Sequence, residues 1–121
     1  AHLEEFMHRN WGRLDWGRSL RLYEIPESGG RQFPAGTWSL DFLAIDNVDN
    51  SLVVIELKRG CTRDVTVGQI LRYMGWVKEQ LVEGLLVSQE IDAALRYAVS
   101  QVSGVTVLTY PVDFCFQVVC I

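Results

Sequence analysis

The segment TWSLDFLAIDNVDNSLVVIELK, residues 37–58, constrains the fold of this chain more than any other. Two apolar runs flank the turn-forming NVDN, the pattern of an antiparallel hairpin. Both runs carry apolar residues on both faces. Such strands belong in a central sheet covered on each side by helices, not in a sheet with one face open to water. Against that background three charged residues stand out. Residues two apart on a strand share a face, so Glu56 and Lys58 project side by side at the end of the second strand. Asp41, between Leu40 and Phe42, lies in the partner strand fifteen residues before Glu56.

The remaining pattern fits around this hairpin. HLEEFMHRNW places Leu3, Phe6, Met7 and Asn10 or Trp11 at helical spacing, predicting a helix over about 2–10. SLRLYEI alternates Leu20, Leu22 and Glu24 against Arg21, Tyr23 and Ile25 as a half-buried strand would. PESGGRQFPAG, dense in Pro and Gly, predicts a loop. After the hairpin, RDVTVGQILRYMGWVKEQLVEG spaces Val67, Ile70, Leu71, Met74, Val77 and Leu81 by threes and fours, with Gly84 where a helix C-cap falls. LLVS predicts a short buried strand, and QEIDAALRYAVSQV a helix with Ile91, Ala94, Leu95 and Ala98 inward. VTVLTY and the alternating DFCFQVVCI predict two final strands. The expected architecture is an α/β domain with a central mixed sheet flanked by helices, occupying residues 1–121 as one unit.

Composition removes several function classes. No apolar run approaches the ~20 residues that span a bilayer, and no signal-peptide pattern opens the chain, so a cytoplasmic protein is expected. Cys61, Cys115 and Cys120 are odd in number and lack CxxC spacing, which disfavours a disulfide framework or a zinc site. His2 and His8, six apart, do not form an i, i+4 ligand pair. The formal charge of −4 opposes non-specific nucleic-acid binding, yet nine of the eleven basic residues lie within the first 72 positions, enough for a basic face on an acidic protein.

Chemistry concentrates on Asp41, Glu56 and Lys58. An ion pair fraying at a strand end is the plain alternative for Glu56 and Lys58, contributing less than about 1 kcal/mol. Asp41 argues for more. A carboxylate on an apolar strand suffers a desolvation penalty and a raised pKa unless it is paired or binds a cation. Two inward carboxylates on adjacent strands repel each other, and a divalent metal relieves both problems. Hard oxygen ligands with positions left open for water and phosphate suit magnesium, and a neighbouring lysine can orient water or stabilise charge on a phosphate.

An Asp followed fifteen residues later by Glu-x-Lys at the end of an apolar strand resembles the PD-(D/E)xK nuclease superfamily. LEEF, SLDFLAID, LVVIELKRG and VGQILRYMGWV, four blocks in order over roughly residues 3–81, resemble the catalytic domain of NucS-type endonucleases. The resemblance implies a restriction-endonuclease-like fold and magnesium- or manganese-dependent hydrolysis of DNA. Asp41, Glu56 and Leu57 would hold the metal, and Lys58 would be the catalytic lysine. It implies Glu4 as an auxiliary metal or water ligand, with Glu5 its competitor because the helix phase is uncertain by one position. Gln69 and Tyr73 match polar positions that the family turns toward its site, and with Arg72 they form a polar stripe at i, i+3 and i+4. Arg59, Arg63 and Arg72 are candidates for phosphate contact, each with a solvated surface as the alternative. Leu40 replaces the proline of the superfamily's name. The family's separate N-terminal DNA-binding domain has no counterpart before Ala1, so a separate partner or a homodimer through the C-terminal strands is expected to complete the grip on DNA. The rival reading is a nuclease-like fold without catalysis, serving as a DNA- or protein-binding accessory.

Overall fold

A computed structural model describes residues 2–23, 31–35, 38–77 and 82–110. The strand expected over 113–121, its Cys115 and Cys120, and dimerisation through it lie outside these residues. So do Glu24, Ile25 and Leu81.

Among the described residues the chain runs α1 (His2–Arg9), a short 3-10 turn (Trp11–Arg13), β1 (Leu20–Leu22), β2 (Arg31–Ala35), β3 (Trp38–Asp46) and β4 (Leu52–Thr62). It continues as α2 (Val65–Val77), β5 (Val82–Ile91), α3 (Ala93–Ser100) and β6 (Val105–Thr109). One mixed sheet results. β3 and β4 form the expected antiparallel hairpin, with Phe42 opposite Ile55 and Ala44 opposite Val53. β5 and β6 then add in parallel through the α2 and α3 crossovers. Phe42 pairs with both Arg31 and Ile55, and Ala44 with both Leu22 and Val53, so β1 and β2 occupy successive stretches of the β3 edge that faces away from β4. No helix among the described residues is long and apolar enough to cross a membrane.

Strand alternation sends apolar side chains to both faces. Leu43, Val54, Leu86 and Val105 meet Val67, Ile70 and Tyr73 of α2 and Leu95 of α3 on one face. On the other, Phe42, Ala44, Val53, Ile55, Leu85 and Val87 meet Met7 and Trp16. Trp11 anchors α1 to this second layer. Its ring lies 4.8 Å from Trp16 and 5.2 Å from Phe42, and its Nε1 donates to the Leu20 carbonyl at 3.0 Å.

Several local expectations are corrected. The PESGGRQFPAG loop contains β2, which among the described residues pairs with β3 alone, the setting in which a strand tolerates a proline such as Pro34. Of the stripe expected on α1, Leu3 and Met7 pack inward but Phe6 is 60% exposed, and Glu4 is buried. On α2, Leu71 is exposed and Tyr73 enters the core, because Val67, Ile70, Tyr73 and Met74 already fill the stripe facing the sheet. Ile91 ends β5 and Ala94 is exposed; α3 begins later than expected because Asp92 caps it, accepting from the Leu95 amide at 2.8 Å.

Gly84 is not a helix cap but part of β5. A Cβ there would lie 2.8 Å from Met74 Sδ and 3.1 Å from Ile70 Cδ1, so the bare backbone lets α2 approach the sheet. Gly84→Val is expected to destabilise the fold by about 1–3 kcal/mol through overpacking against the fully buried Ile70. A lowered urea midpoint with an unchanged m-value would report it.

Near the β3–β4 turn, Arg18 bridges two carboxylates. Its Nε donates to Asp46 at 2.7 Å and its Nη1 to Glu83 at 2.5 Å, tying the segment before β1 to the end of β3 and the start of β5. The Val48 amide and Arg18 hold the Asp46 carboxyl below its ordinary range, and its bond to Glu83 first of all raises the Arg18 pKa. A depressed carboxylate stabilises the fold above its unfolded pKa of about 3.9, and that contribution is lost as pH falls through the lower folded value. Arg18→Leu is therefore expected to lower the Tm at neutral pH, with the deficit shrinking in acid. A deficit independent of pH would count against the clamp.

Candidate active site

At the opposite end of the hairpin from the turn, β3 and β4 bring the acidic residues together. Ile55 pairs with Phe42, and the next step along both strands sets Glu56 beside Asp41. Asp41 Oδ2 accepts from the Leu57 amide at 2.8 Å, fixing the carboxylate across the gap between the strands. Glu56 is 5% exposed. Lys58 Nζ lies 3.4 Å from its Oε1, and its buried Oε2 has no hydrogen-bond partner among the described residues. Burial pushes the Glu56 pKa up to about 7, helped by the Asp41 charge and opposed by Lys58.

A cavity of about 120 Å³ opens beside this pair, lined by Leu3, Glu4, Asp41, Leu57 and Arg59. α1 carries Glu4 into it, the helix carboxyl that the resemblance implied, whereas its competitor Glu5 faces solvent and pairs with Arg9 at 2.7 Å. Glu4 is thus a buried carboxyl presented by a helix that the Trp11 cluster pins to the sheet. Gln69 and Tyr73 bond each other at 3.0 Å. With the Tyr73 ring in the core, the expected polar stripe narrows to Gln69 and Arg72, which Tyr73 joins only through its hydroxyl. Arg63 and Arg72 are exposed, and of the three arginines only Arg59 lines the cavity.

The donor set fits a hard divalent cation. A buried carboxylate oxygen without a partner, a second carboxylate beside it and a cavity lined by a third carboxyl are oxygen donors of the kind magnesium takes. Among the described residues no group of three or more His, Cys, Asp or Glu forms a metal cage. A magnesium ion here would rest on few protein ligands and keep several waters, as that ion commonly does.

Reading β4 as ending at Lys58 missed its continuation to Thr62 and a bulge between Lys58 and Cys61. Gly60, an isolated glycine just past a strand pattern, was the available signal.

These features define a restriction-endonuclease-like α/β fold with an acidic pair and a lysine at the end of its central hairpin. No family model matches the chain, and no curated protein matches it by sequence. Solved structures do. A repair endonuclease from Pyrococcus abyssi superposes with a TM-score of 0.73 at 20% identity, over 92% of this chain and 47% of that one. EndoMS in a complex with double-stranded DNA gives 0.68 at 22% identity, over 92% and 44%. EndoMS in its apo form gives 0.61 at 19%, over 90% and 43%. The fold is that of NucS/EndoMS-type endonucleases, in agreement with the sequence motifs. The chain spans a little under half the length of these proteins.

Proposed function

We propose that this chain is a nuclease-like domain that hydrolyses DNA phosphodiester bonds with magnesium or manganese. The observation that carries the reading is the buried Glu56 carboxylate, its Oε2 unpartnered, standing between Asp41 and Lys58 in an endonuclease fold. Asp41 and Glu56, with Leu57 between Glu56 and Lys58, are the residues to hold the metal. A divalent cation bound there would supply a water of lowered pKa and polarise the scissile phosphate. The Lys58 ammonium, 3.4 Å from Glu56 Oε1, would orient that water or balance charge building on the phosphate. Glu4 would accept a hydrogen bond from water in the cavity, with Gln69 and Tyr73 in support from α2. Arg59 would meet a phosphate at the cavity rim, and Arg63 and Arg72 the backbone further out.

DNA as the substrate is supported by the double-stranded DNA bound to the EndoMS neighbour. A separate DNA-binding partner, or a homodimer, that completes the grip on DNA belongs to the same proposal. A cytoplasmic setting and DNA repair are part of the same reading.

Calorimetry and thermal shift test the metal site without any substrate. Magnesium or manganese is expected to bind wild-type protein and, at about 100 times its dissociation constant, to add about 2.7 kcal/mol of stability. Asp41→Asn is expected to lose both effects. Folded wild-type protein that binds neither ion would overturn the assignment.

A further inference from the structure

β4 continues past Lys58, and its ladder to β5 slips there. Lys58 pairs with Ser88 but Cys61 with Glu90, so β4 holds one more residue than β5 over this interval. Gly60 takes a φ of +67°, the left-handed backbone that glycine adopts without strain. A bulge of this kind bends its strand and sharpens the local twist, re-aiming nearby side chains.

Side chains from β4 itself, from β5 and from Tyr110 just past β6 hold the bulge. Ser88, wholly buried opposite Lys58, places its Oγ 2.5 Å from Thr62 Oγ1, 2.8 Å from the Glu90 carbonyl and 3.4 Å from the Gly60 carbonyl. With Thr62 donating to Ser88, the serine hydroxyl is left to donate to Glu90. Gln89 Oε1 accepts from the Gly60 amide at 3.3 Å. The Tyr110 hydroxyl donates to the Lys58 carbonyl at 3.3 Å, and the Tyr110 amide to the Ser88 carbonyl at 3.2 Å. Two buried hydroxyls cost desolvation that valine and alanine would avoid, so a strand end needing only packing has no use for them.

We infer that Thr62, Ser88 and Tyr110 are positioning residues that lock the Gly60 bulge and hold the Lys58 main chain so that its ammonium stays against Glu56. They act through Lys58 and touch neither metal nor DNA. Their effect on cleavage rests on the nuclease reading; their effect on the lysine does not.

Lys58 and Lys78 are the only lysines in the chain, so isotope-labelled lysine reports Lys58 directly by NMR, assigned with Lys58→Arg. Thr62→Val keeps the shape and removes the hydroxyl. Gly60→Ala adds a Cβ that meets no atom within 4 Å and challenges only the backbone conformation. In both variants the Lys58 side-chain resonances are expected to move toward those of unfolded protein. Single-turnover cleavage should fall about tenfold, the scale of a small misplacement, with metal affinity unchanged. Thr62→Ser is expected to restore both signals. A lowered Tm with wild-type lysine resonances and rate would reduce these residues to packing and overturn the inference. Wild-type protein that cuts no substrate would sink the nuclease reading separately. The resonances alone would then decide the bulge, movement upholding it and constancy overturning it.

Discussion

Lys58→Met is expected to lower the single-turnover rate of metal-dependent DNA cleavage by about 10²–10³-fold, the range for losing one group that stabilises developing charge. The substitution keeps most of the aliphatic stem and removes an ammonium 3.4 Å from Glu56 Oε1. The fold should survive, because the Lys58 side chain is one-third exposed and the strand's bonds to β5 are made by its backbone. Metal affinity should hold or tighten, since a positive charge leaves the neighbourhood of a cation site. The distinguishing result is therefore a split: cleavage lost in a folded protein whose calorimetric metal titration is intact. Loss of both together would mean that Lys58 organises the carboxylates and contributes little to the chemical step.

Glu56→Gln is expected to make the metal-free protein more robust at alkaline pH while removing its activity. The Glu56 carboxyl, ordinarily near 4.5, is pushed up to about 7 by burial and by Asp41. Between those values the folded state keeps a proton that the unfolded chain releases, so wild-type stability falls as pH rises through that window. Glutamine imitates the protonated form and escapes the loss. Near pH 4 the two proteins should unfold alike; at pH 8 the variant should lead by on the order of 3 kcal/mol. Saturating magnesium should close or reverse the gap by stabilising the wild type alone. Denaturant titrations at both pH values, with and without metal, check all parts. A variant less stable than wild type at pH 8 without metal would contradict the strain assigned to Glu56.

The central hairpin was legible because both its strands are buried on both faces, and a continuous apolar run leaves the strand assignment little competition. Once Phe42 and Ile55 are opposite, the proximity of Asp41 and Glu56 follows from strand geometry. Elsewhere tertiary context outweighed local pattern. β2 was hidden by Pro34, whose missing amide matters little at a sheet edge. Phe6 left its expected inward place, while Glu4 turned inward as the resemblance implied, because the Trp11, Trp16 and Phe42 cluster sets the rotation of α1, and no periodicity in eight residues encodes that contact. Tyr73 carries a polar tip on a large apolar ring, and the ring decided its burial while the hydroxyl found Gln69. By pattern Gly84 reads as a stop signal, but its value is the absence of a side chain beneath α2. The bulge after Lys58 lies in RGCT, a stretch too polar to extend a strand by pattern, and its partners Ser88 and Tyr110 are remote in sequence.

The most direct measurement is cleavage of labelled single-stranded, duplex, flapped, mismatched and four-way DNA by wild-type protein and Glu56→Ala, in magnesium, in manganese and in EDTA. The expected result is cutting by the wild type that requires the metal and vanishes in the variant, with one DNA shape preferred. Undiminished cutting by the variant or in EDTA, or no cutting of any substrate by folded wild-type protein, would contradict it.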